Sequence, residues 1–148
     1  FYTFEWPDYV CSQFNDFFAA LLSPAPENIS DGNISFDQLG NPVSVNNVFV
    51  RVCGCSPGPP CPAPPSNPLK EFDCKLGSKE LEKTGFEDHA ATSWLTTRAP
   101  VIAGSQVVLR WAIYDAGDHI LDSTVIIDNF RWLSDEEDTP TTNPLDPK

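Results

Sequence analysis

Residues 104–132 read GSQVVLRWAIYDAGDHILDSTVIIDNFRW. Side chains of a strand alternate between its faces with period two, and this stretch alternates twice. Val107, Leu109, Trp111 and Ile113 fall on one face of a first strand. Thr124, Ile126, Asp128, Phe130 and Trp132 fall on one face of a second. Asp115, Asp118 and Asp122 lie between them, where a turn is needed. The pattern predicts a long β-hairpin with an acidic tip.

Outward from the hairpin, the chain continues in short strand-like runs. FYTFEW at 1–6 puts Tyr2, Phe4 and Trp6 on one face and stops at Pro7. FNDFFAALL at 14–22 is aromatic-rich and bounded by SPAP, which favours a buried strand over a short helix. Residues 23–33 form a loop punctuated by Pro24, Pro26 and Asp31-Gly32. A short strand is expected at 33–37 and a clear one at 43–52, VSVNNVFVRV. Seven prolines between Ser56 and Pro68 remove backbone donors, so that segment is a stiff surface excursion. A proline-rich ligand for another domain is the sharper alternative, and the cysteines within the segment argue for a fixed loop instead. Residues 71–81 are ambiguous, 85–89 read as a turn, 92–98 as a strand and 99–104 as a connection. From Ser134 the sequence SDEEDTPTTNPLDPK has no periodic apolar face, so residues 134–148 read as an acidic Pro/Thr-rich tail or linker. Residues 1–133 then form one all-β domain, an antiparallel sandwich or jelly roll, with a Pro/Cys-rich insertion at 53–74. The strand count is low for a complete sandwich, which predicts that an N-terminal piece is missing or supplied by another molecule.

Composition narrows the partners. The chain has 148 residues, 41% of them hydrophobic, enough for a real core, and a net charge of −12. Nucleic acid and anionic membrane surfaces repel such a surface. No apolar run is long enough to insert in a bilayer. The chain starts on Phe1 and contains no Met, as expected of a processed or truncated product. Five cysteines in an acidic, Pro-rich, strand-like chain suit an oxidising, extracellular compartment. Disulfides are the preferred reading over a zinc site, because the spacing is irregular and His89 and His119 are remote. Cys53, Cys55, Cys61 and Cys74 are the candidates for two bridges closing the 53–74 loop, with Cys11 unpaired or intermolecular. Asn28-Ile-Ser30 and Asn33-Ile-Ser35 match the glycosylation pattern, which matters only in a host that glycosylates.

Two blocks carry a resemblance. FEWPDYVCSQFNDFFAALLS, with the later NIS and NPVSVNNV, resembles the first half of the choice-of-anchor L domain of bacterial secreted and surface proteins. KTGFEDHAATSWLTTRAPVIAGSQVVLRWAIYDAGDHILDSTVIIDNFRW is similar to its second half, in a myxobacterial-like form. The likeness covers most of residues 1–133, and the Pro/Cys loop departs from the general pattern. The resemblance implies secretion, a β-sandwich, surface attachment and an N-terminally incomplete copy of the domain. It implies no established activity.

Candidate chemistry is mostly acidic. Asp115, Asp118, Asp122 and Asp128, with Asp16, are candidate ligands for Ca²⁺, which takes six to eight oxygens in tolerant geometry. Glu5, Asp8, Asn15 and Asp16 form a second acidic set that such a fold can bring to the hairpin. The alternative reading keeps Asp115 and Asp118 as turn residues that bond backbone N–H groups. Catalysis has little support: Asp118, His119, Asp122 and Ser123 resemble a triad in composition only, because strand neighbours point to opposite faces. Tyr114 and Trp94 are candidates for stacking on a sugar, although large strand aromatics more often fill cores. The reading is a non-catalytic extracellular surface module acting in adhesion or assembly, stabilised by Ca²⁺ if the acidic turn is a site. Its partners are expected to be other copies of itself, surface proteins or glycans. One alternative is a subunit of an extracellular filament or pilus assembled by strand or disulfide exchange; another is a carbohydrate-binding module.

Overall fold

A computed structural model of the chain describes residues 1–9, 13–47, 49–53, 74–135 and 138–145. Its strands are β1 (Tyr2–Thr3), β2 (Phe17–Ser23), β3 (Val43–Ser44), β4 (Val52–Cys53), β5 (Ala90–Ala91), β6 (Leu95–Arg98), β7 (Val108–Tyr114), β8 (Ser123–Thr124) and β9 (Thr141–Pro144), with one 3-10 turn at Lys79–Leu81. They pair into three sheets, in the orders β4-β5-β1-β8, β3-β2-β7 and β6-β9. Every strand pairing is antiparallel, so the all-β expectation holds.

Register explains the layers. In the first sheet Tyr2 and Val52 both lie opposite Ala91, while Thr3 and Cys53 lie opposite Ala90. The Ala91 face packs Val52, Tyr2 and Phe4 against Leu81 and Phe86. The Ala90 face turns Cys53 toward a second cluster, in which Val43, Val45, Trp6 and Phe49 meet Phe18 of the second sheet. This cluster lies between the two sheets, as in a sandwich. Full burial of Trp6, Val43 and Val45 there contributes roughly 1.5–3 kcal/mol per side chain. Alanines at 90 and 91 leave room on both faces for these larger partners.

β2 is the buried strand expected from FNDFFAALL, and it pairs with β7 over its full length, Phe17 to Tyr114 through Ser23 to Val108. Leu22, Ala20 and Phe18 lie opposite Leu109, Trp111 and Ile113, so those three β7 residues do share the inner face.

Several expectations need correction, among them the strand at 33–37, where Asn33 and Phe36 make only isolated bridges. The hairpin does not close. The returning strand is only Ser123–Thr124, and it pairs with β1, Tyr2 opposite Thr124, not with β7. Gly117, His119 and Leu121 all have positive φ (134°, 62° and 70°), which turns the chain away from β7 before it returns. The expected strand at 43–52 is broken in the middle: Asn47 Oδ1 accepts the Phe49 N–H at 2.9 Å, and the Asn47 N–H donates to the Ser44 carbonyl at 3.1 Å. Asn side chains compete with the ladder in this way. At 1–6 the alternation ends at Thr3; Tyr2 and Phe4 enter one cluster and Trp6 the other. The stretch expected to be a solvated tail contains β9, which pairs with β6 from Leu95–Pro144 to Arg98–Thr141. Thr142 is buried, and its hydroxyl lies 2.9 Å from that of Thr97.

Cys53 and Cys74 form a disulfide across 21 residues, with Cα atoms 5.3 Å apart. Closing a loop of that length stabilises the fold by about 3 kcal/mol. Cys11, Cys55 and Cys61 lie outside the described residues, as does most of the insertion.

Candidate functional site

Three strand ends meet at one end of the sandwich. Glu5 follows β1, Asn15 and Asp16 precede β2, and Asp115 follows β7. The Asn15 N–H donates to the Ala116 carbonyl at 3.1 Å, and the Phe4 N–H to the Asp122 carbonyl at 3.4 Å. The Ser123 hydroxyl donates to Asp16 Oδ2. Gly117 makes this approach possible: a Cβ there would stand 2.8 Å from Phe14 Cδ1. The acidic loop is thereby held against the 13–16 segment.

The electrostatics of this corner are one-sided. Glu5 and Asp16 are each only 1% exposed. Burial, and after it the charges of Asp16, Asp118 and Asp115, together raise the Glu5 carboxyl to a pKa of about 7. Burial also raises Asp16; the Ser123 hydrogen bond opposes the shift, while Asp115, Asp122 and Asp118 add to it. The charged groups acting on Glu5 are all carboxylates. Four oxygens here are buried without a hydrogen-bond partner: Glu5 Oε2, Asn15 Oδ1, Asp16 Oδ1 and Asp115 Oδ1. Buried polar atoms are rarely left so, and unpaired acceptors of like charge are the costliest kind. Among the described residues no three Asp, Glu, His or Cys side chains are grouped so as to hold a metal ion as they stand.

The structure therefore joins the two acidic sets that the sequence kept apart, but not all of their members. Asp118 and Asp122 stand exposed at the rim, and Asp118 also accepts the Ile120 N–H at 3.1 Å, the turn role expected of it. Asp128 is exposed, and its carboxylate accepts the Asn129 N–H, so it belongs to a separate turn. Asp8 is exposed and plays no part in the charge interactions of Glu5 or Asp16. Ser123 is bonded to Asp16, while His119 is exposed on the loop, so no triad geometry joins them.

A second feature lies on β7, which is an edge strand among the described residues. Trp111 and Ile113 point to the inner face yet remain 49% and 45% exposed. They line a groove of about 300 Å³ with Phe18, Val125 and Ile127. Ile126, Phe130, Trp132 and Leu133 are exposed nearby in sequence, without a strand partner among the described residues. Of the two candidate stacking residues, Tyr114 is stacked on Phe17 with centroids 5.3 Å apart. Trp94 precedes β6, in a different sheet.

Sequence reasoning passed over Asp37. Its carboxylate accepts from Leu39 N, Asn41 N, Asn41 Nδ2 and Asn47 Nδ2, all between 2.9 and 3.2 Å. Burial acts to raise its pKa, but those hydrogen bonds win and hold it below the usual value. The Asp-x-x-Gly-Asn-Pro run was a legible turn signal; the reach to Asn47 was not.

A family model described as the choice-of-anchor L domain matches residues 1–130. The chain belongs to that family. Choice-of-anchor L domains are surface-associated, extracellular modules of a non-enzymatic kind, which makes this a secreted or surface-anchored protein. The match spans both acidic sets, β7 and the groove. No helix among the described residues is long and apolar enough to cross a membrane. No curated protein and no solved structure matches the chain.

Proposed function

We propose that this choice-of-anchor L domain is a non-catalytic surface module of adhesion or assembly, and that it assembles with other copies of itself by strand addition. The observation that carries the reading is the exposed inner face of β7, Trp111 and Ile113, beside an edge with no further strand among the described residues. An edge strand offers a row of unpaired N–H and C=O groups to any extended segment. The same chain holds a suitable donor. Residues 126–133 alternate, carry Ile126, Phe130 and Trp132 exposed, and have no ladder of their own among the described residues. Donor and acceptor are different surfaces, so the contact is head-to-tail. Such contacts run on into filaments when the rotation does not close, which favours the filament-subunit reading within the same mechanism.

Sedimentation velocity over a concentration series tests this. The wild type is expected to form dimers and longer species as concentration rises. Ile113→Lys on the acceptor and Ile126→Lys on the donor are each expected to remain monomeric with unchanged circular dichroism. Mixing those two variants restores only dimers, because each keeps one intact surface. A wild type that stays monomeric at every concentration defeats the proposal. If that monomer also binds on a glycan array, the carbohydrate-binding reading takes its place.

A further inference from the structure

We propose that Glu5, Asn15, Asp16 and Asp115 bind one Ca²⁺ ion, which ties the loop after β7 to the strand ends at β1 and β2. The inference stands independently of how the domain assembles.

An acidic patch on the surface of a protein with a charge of −12 would mean little. Here the decisive side chains are inside. Glu5 and Asp16 are each 1% exposed, and each presents an oxygen with no hydrogen-bond partner. Asn15 Oδ1 and Asp115 Oδ1 are also buried and unpartnered. Four oxygens from three separate segments thus share one defect, the lack of anything positive or donating to meet them. Water would satisfy one or two such atoms, but it would not relieve the repulsion among Glu5, Asp16 and Asp115. A divalent cation does both.

The donor set selects among cations. All four ligands are oxygens, with neither sulfur nor imidazole among them, which disfavours zinc and copper. They come from three separate chain segments. Mg²⁺ demands near-ideal octahedral geometry and gives up its water reluctantly, whereas Ca²⁺ accepts six to eight irregular oxygens at roughly 2.3–2.6 Å. Three carboxylates and one amide are a moderate charge count, of the sort found in extracellular modules with dissociation constants of roughly 10⁻⁴–10⁻³ M. As they stand, no three Asp, Glu, His or Cys side chains among the described residues could hold a metal ion, so binding requires Glu5, Asp16 and Asp115 to rotate onto it. Asp118 and Asp122, at the rim, raise the local negative potential without being needed as ligands. Asp128 is excluded from the set, since its carboxylate serves the turn at Asn129.

The test uses the full chain, stripped with EDTA and dialysed, at neutral pH. Calorimetric titration with CaCl₂ is expected to show one site. Thermal melts in millimolar CaCl₂ are expected to rise by about 5 °C, with a clearly smaller rise in MgCl₂. Glu5→Gln and Asp16→Asn should each weaken Ca²⁺ binding roughly tenfold or more, while Asp128→Asn leaves it unchanged. In calcium-free buffer Glu5→Gln is expected to melt no lower than the wild type, because it removes a buried repulsion; this separates loss of the site from loss of the fold. A wild type that shows neither heat nor shift with CaCl₂ overturns the proposal. So does an equal loss of binding in Asp128→Asn and Asp16→Asn, which marks diffuse attraction to an acidic surface.

Discussion

Asp37 and Glu5 are both buried carboxylates, and their surroundings treat them in opposite ways. Asp37 receives N–H donors from Leu39, Asn41 and Asn47, which favour its charged form. Glu5 Oε2 has no partner and faces other acids. The first arrangement is a finished structural knot, the second an open valence. The Asp37 knot has a pH signature. Its pKa is lowered on folding, so the unfolded chain takes up the proton first as pH falls. Its contribution is therefore complete above the ordinary Asp range and disappears as pH falls through the lower, folded value. Asp37→Ala is expected to cost about 1–3 kcal/mol at neutral pH and to shrink the difference between urea melts at neutral pH and those near pH 3. A variant whose melts match the wild type at both pH values would show that the knot contributes nothing.

Among the elements, β7 and β9 diverge most from what their sequences suggest. β7 has the alternation of a sheet interior, but it sits at an edge with two of its inner-face residues half open. β9 lies in a stretch with the composition of a linker, yet four of its residues ladder onto β6 and Thr142 reaches the Ile34 carbonyl at 3.3 Å. A chain ending after Leu133 leaves β6 without its partner. That truncation is expected to lower stability by about 2 kcal/mol in denaturant titration, where removal of a free tail would leave the midpoint unmoved. The weak apolar character of TTNP hides the strand from periodicity, because its ladder is held by backbone and hydroxyl bonds rather than by packing.

For the whole molecule, charge and the β7 edge pull against each other. A charge of −12 keeps copies apart, while the exposed inner face of β7 draws them together. Salt screens the first force and leaves the second almost untouched. Raising NaCl from about 0.01 M to 0.15 M, which shortens the screening length from roughly 30 to 8 Å, is expected to promote self-association in light scattering. Association that weakens with salt would point to ion pairs instead of strand addition.

Much of this protein could be read without its structure, because some signals are local. Turn residues, proline runs and period-two alternation placed the all-β class, the buried strand at 14–22 and the inner face of Val107, Leu109, Trp111 and Ile113. Composition and cysteine usage pointed to the extracellular side, and two ordered blocks of motif to the family. Pairing partners were not legible, since alternation shows that a segment is a strand and not which neighbour it takes. The returning segment at 123–124 chose β1 over β7 because left-handed residues in the acidic loop redirect the chain. For the same reason the opening hairpin lost its second strand while its aspartates gained company. Only tertiary structure brought Asp115 to Glu5, Asn15 and Asp16, and only burial left their oxygens without partners. Sequence spacing carries no record of where three distant strand ends will meet, and that meeting decides whether an aspartate is a turn residue or part of a site.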